Sequence, residues 1–74
     1  MSDLTLAQAK LRGAKALSEA EQLVRAGRHT PRQASRELID IYWGIHHRLG
    51  MKARVEFDAW FMGQYQEVGK ELER

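Results

Sequence analysis

The chain of 74 residues contains no cysteine, which excludes disulfide staples and thiolate-ligated metal. No apolar run approaches the roughly 20 residues that a bilayer span needs. The opening Met1-Ser2-Asp3-Leu4-Thr5 lacks the basic and apolar regions of a signal peptide. A cytoplasmic protein without membrane contact is therefore expected. Proline occurs once and glycine six times, and 43% of residues are hydrophobic, so the chain should fold rather than stay disordered. There is no internal repeat, no low-complexity segment and no convincing strand. A single core of this size rarely gives more than about 3–5 kcal/mol without disulfides, metal or a second chain.

Chemical motifs are absent as well. The sequence has no nucleotide-binding loop, no zinc-protease helix and no calcium loop. Its hydroxyls are ordinary Ser, Thr and Tyr residues in helical or capping contexts. Three short helices enclose a pocket of roughly 300 Å³ only with difficulty. We therefore expect no catalytic residue, no cofactor and no metal, and a protein that is not an enzyme. His46 and His47 are adjacent, and neighbours on a helix point about 100° apart, so they do not form a metal pair in the manner of an i, i+4 couple.

What is present reads as one all-α domain: a helical hairpin plus a third helix, forming a small three-helix bundle that dimerisation would complete. Two breaks divide the chain. In the first, Ala26-Gly27-Arg28-His29-Thr30-Pro31, Gly27 suits a left-handed helix end. Thr30 suits an N-cap, with Pro31 at the first helical position and Gln33 completing a capping box. In the second, Gly50 reads as a helix stop. Helices are expected over about 4–26, 31–49 and 52–72, the first capped by Ser2 or Asp3.

Helix 1 carries Leu6, Ala9, Gly13, Ala16, Ala20 and Leu23 at heptad-like spacing, widened by Leu17 and Val24. In helix 2, Ala34, Leu38, Ile41, Tyr42, Ile45 and Leu49 share a face that Ile39 and Trp43 extend to about half the circumference. That is wider than a helix needs merely to cover a core. Helix 3 collects Val55, Phe57, Phe61, Met62, Tyr65, Val68 and Leu72. Asp58 intrudes on that stripe with Arg54 one turn before it as a candidate partner, and Trp60 falls on the opposite side. Gly13, Gly44, Gly63 and Gly69 lie inside helices, at about 0.5–1 kcal/mol each relative to alanine. They mark either close backbone approach or a marginal fold.

These features point to a non-enzymatic protein–protein interaction module: a small adaptor, inhibitor or regulatory subunit that binds a larger protein and self-associates as a dimer. Its expected interface is Trp60, Trp43, Ile39 and His46, because tryptophan outside the core stripe is a common binding anchor. A second reading is a nucleic-acid-associated protein. Arg25, Arg28, Arg32 and Arg36 surround the N-terminus of helix 2, where free amides favour an anion. Residues 1–54 hold ten Lys/Arg against five Asp/Glu, a balance of +5, while residues 55–74 hold two against five, a balance of −3. A basic front that merely pairs with an acidic last helix accounts for the same cluster. Thr30–Leu38 resembles the opening of a helix-turn-helix, but Ile39-Asp40-Ile41-Tyr42-Trp43 continues the helix where that motif needs its turn.

Overall fold

The starts of the first two helices are fixed by a few local hydrogen bonds. In the computed structural model, which describes residues 4–72, α1 spans Leu6–Arg25, α2 Pro31–His46 and α3 Met51–Leu72. Both α1 and α2 open with a complete capping box. The Thr30 side chain accepts from Gln33 N while Gln33 Oε1 accepts from Thr30 N, as expected. Thr5 and Gln8 do the same for α1. The cap is therefore Thr5 rather than Ser2 or Asp3, both of which lie outside the described residues. A second Thr-x-x-Gln, like the one at Thr30, carries the signal.

The end of α1 follows the glycine rule. Gly27 has φ +74°, Arg28 N donates to Leu23 O, and Gly27 N donates to Val24 O. This is a Schellman arrangement, which satisfies carbonyls the helix leaves free. Gly50 does not play that part, since Gly27 has the one positive φ among the described residues. Instead α2 ends at His46, three residues earlier than expected, and tightens through bonds from Arg48 N to Ile45 O and Leu49 N to His46 O. The Arg54 guanidinium completes this end: its Nε donates to both His46 O and Leu49 O.

The helices run up, down and up. Leu4 N donates to Arg48 O, which ties the start of α1 to the turn after α2. Arg25 at the end of α1 reaches Glu71 near the end of α3 at 3.9 Å. The whole measures 37 × 22 × 16 Å. The backbone of α1 approaches both α2 and α3 closely, whereas α2 and α3 approach each other least. Side-chain size explains this. The buried residues of α1 are Ala9, Gly13, Leu17 and Ala20, three of the four very small, so α1 slides between its neighbours like a thin wedge. The bulk comes from the other two helices: Leu38, Tyr42 and Ile45 of α2, and Phe57 and Phe61 of α3, with Leu4 and Leu49 closing one end.

The apolar arc of α2 is narrower than its composition suggests. Every residue it buries lies within about 40° of Leu38. Ile41, about 60° away, is 40% exposed and does not belong to the core. Val55 and Met62, assigned to the core side of α3, are likewise exposed.

Candidate interaction face

The hairpin of α2 and α3 is held by polar pairs rather than by close backbones. The hydroxyls of Ser35 and Tyr65 are hydrogen-bonded to each other. Tyr42 donates its hydroxyl to Asp58 Oδ1 at 2.6 Å, and His46 Nε2 lies 3.5 Å from the same oxygen. Burial of the Tyr42 ring between Phe57 and Phe61, and then the Asp58 carboxylate that accepts its proton, push the phenol up to about 12. Asp58 is only partly buried, and its partners are Tyr42 and His46. Arg54, the candidate partner on the same helix, is occupied with the end of α2.

These pairs define which flank of each helix faces the other. On α2, Ser35 and His46 are about 60–80° from Leu38. Continuing round the same flank come Ile39, Arg32, Trp43 and Arg36, at about 100–160°. On α3, Tyr65 and Asp58 face α2, and Gly69, Met62 and Val55 follow on the same flank. The result is one surface on the side of the molecule away from α1. Ile39 is 47% exposed, Trp43 52% and Met62 44%. The register set by Ser35–Tyr65 and Tyr42–Asp58 puts Ile39 level with Met62 and Pro31 level with Gly69.

At the Pro31 end this surface sinks into a groove of about 430 Å³. Ala20 of α1 forms part of its floor, Ala34 and Leu38 line one wall, and Val68, Gly69 and Leu72 line the other. The groove exists because α2 and α3 splay apart over a helix whose residue at this level is alanine. Three short helices thus do leave a recess of ligand size, as an open trough rather than an enclosed pocket.

The expected site residues divide. Ile39 and Trp43 lie exposed on the hairpin face, and the edge of His46 meets both Trp43 and Asp58. Trp60 is elsewhere. It is half-buried against α1, where its ring stacks near Phe57 and stands 2.9 Å from the place a Gly13 Cβ would occupy. The outward-facing role expected for Trp60 is corrected accordingly: α1 supplies the covering surface, and Gly13 is the notch that admits the ring. Close approach explains Gly13 alone, because a Cβ at Gly44, Gly63 or Gly69 would meet nothing within 4 Å.

The four arginines do not form one patch of free charge. Arg25 bonds Glu21 at 2.8 Å and also faces Glu71, which is the pairing of basic front with acidic helix anticipated above. His29 Nδ1 faces Glu37 at 3.6 Å. Arg32 and Arg36 are exposed, and no ion pair within the described residues holds them. His47 is exposed. Sequence reasoning missed Met62, Ser35, Tyr65 and Gly69 as members of the face. The hydroxyl pair has no signal in the sequence, whereas Gly69 reads there as a mark of close backbone approach or of a marginal fold. Among the described residues no helix is long and apolar enough to cross a membrane. Comparison of the chain with protein-family models, curated proteins and solved structures finds no match in any of the three.

Proposed function

We propose that the protein is a non-catalytic interaction module, a small adaptor, inhibitor or regulatory subunit that binds another protein through the face shared by α2 and α3. The observation that carries this reading is that Ile39, Trp43 and Met62 stay exposed on adjacent turns of the hairpin face, beside an open and largely apolar groove. Scattered exposed apolar residues are ordinary, but a contiguous patch beside a groove marks an interaction surface. Trp43 is well suited as an anchor, because tryptophan contributes large area with few rotatable bonds.

A photo-crosslinking amino acid placed at Trp43, and separately at the exposed Lys15 on α1, tests this in the native cell. A discrete protein adduct from position 43 and none from position 15 supports the reading. Equal, diffuse labelling from both positions removes it. Light scattering during size-exclusion at low and high salt then separates self-association from capture of a foreign chain.

A further inference from the structure

We propose that the groove between α2 and α3 takes a short acidic amphipathic helix of a partner protein, an assignment that rests on the interaction reading above. Length and shape come first. From Pro31 to Trp43 the face runs for about 18 Å along α2, which matches about three turns of a docked helix. The walls are largely apolar, and the Ser35 and Tyr65 hydroxyls are hydrogen-bonded to each other, so the polar demand on an occupant is small. Gly69 leaves a gap in the α3 wall, since open space begins where its Cβ would stand.

Charge then selects the occupant. Arg32 and Arg36 continue the flank of α2 beyond Ile39 and have no ion pair among the described residues, and Lys70, which lines the groove, has only Glu67 at 3.8 Å. Among the described residues the one carboxylate on this flank of α3, Asp58, is already engaged by Tyr42 and His46. Arg32 also sits in the first turn of α2, where a cation is locally unfavourable. Carboxylates supplied from outside would offset that cost and neutralise these cations, while apolar side chains on the same helix enter the groove. A second copy would bring the same two arginines toward a face of the same sign. A nucleic acid would leave the apolar trough unfilled.

The test is a displayed library of 14-residue helices, with apolar and flanking positions both randomised, selected against the full chain. We expect binders rich in Asp and Glu beside an i, i+3, i+7 apolar stripe. The Arg32→Glu/Arg36→Glu variant should weaken them about tenfold or more, and added salt should weaken them further. Gly69→Leu should abolish binding by filling the groove, while Gly44→Leu, equally exposed but off the face, should leave it unchanged. Melting temperatures at or above that of the parent exclude unfolding as the cause for both glycine variants. Binders with neutral or basic flanks, or acidic binders indifferent to Gly69→Leu, overturn the assignment but leave the interaction reading standing. A dimer dissociated by Gly69→Leu, or an oligonucleotide that displaces the acidic helices, overturns it in favour of a second copy or a nucleic acid. No binder together with a monomer in solution removes both.

Discussion

Gly13 and Gly44 occupy similar helical backbone but different surroundings. A Cβ at Gly13 would meet Trp60 at 2.9 Å and Phe57 at 3.4 Å, whereas one at Gly44 would meet nothing. Gly13→Ala should therefore destabilise by about 1 kcal/mol, because steric displacement of the Trp60 ring outweighs the gain in helix propensity. Gly44→Ala should stabilise by about 0.5–1 kcal/mol. Paired urea titrations check both signs, and stabilisation by Gly13→Ala would show that the ring moves freely. Tyr42 gives a second prediction. Its pKa is raised in the folded state, so its contribution is fully present below pH 10 and is lost as pH rises toward about 12. Tyr42→Phe should flatten the fall in stability across that window in alkaline melting curves, and an unchanged slope would count against the Asp58 bond. The sequence made Asp58 conspicuous as a carboxylate in an apolar arc. It did not reveal Tyr42 as the partner, because the donor stands 16 positions away and enters only when α3 folds back.

At the helix ends, short-range chemistry decides, and there the sequence was most legible. Thr30, Pro31, Gln33 and Gly27 behave as their types and spacing require. Replacing Thr30 or Thr5 by alanine should cost about 1 kcal/mol in each case, measured by thermal melting. The C-terminus of α2 was misjudged because its cap is not local: Arg54 is eight positions from the carbonyl of His46. Arg54→Met keeps most of the apolar stem and removes the donor. It should speed amide exchange at residues 47–49 while leaving the first turn of α2 protected. Uniform loss of protection along α2 would mean that Arg54 supports the hairpin as a whole rather than one helix end. The α1 stripe was legible as a seam of small residues, but its consequence was not. How closely α1 enters depends on the Trp60 ring and on the bulk of α2 and α3, which no single-helix pattern contains.

For the molecule as a unit, the class and the number of helices follow from composition and two breaks, while the groove does not. It is a difference between three helices: small side chains in α1, long ones on its neighbours, and a hairpin propped open by hydroxyl and carboxylate bridges. The exposed residues on that face should matter little to the fold. Ile39→Ser combined with Trp43→Ser should lower stability by no more than about 1 kcal/mol, in chemical denaturation, while removing partner binding. A much larger loss would reassign these side chains to the core. The wedge placement of α1 also governs the order of events when the chain is made. α1, made before the other two, has one of its two walls in α3, and the hairpin of α2 and α3 is the loosest of the three pairings. Neither α1 with α2 nor α2 with α3 encloses a core, so contacts of long sequence separation must form before any part holds. During synthesis the segment made before α3 therefore stays open, with Leu17, Leu38, Tyr42 and Ile45 accessible to chaperones, until α3 emerges and supplies Phe57, Trp60 and Phe61.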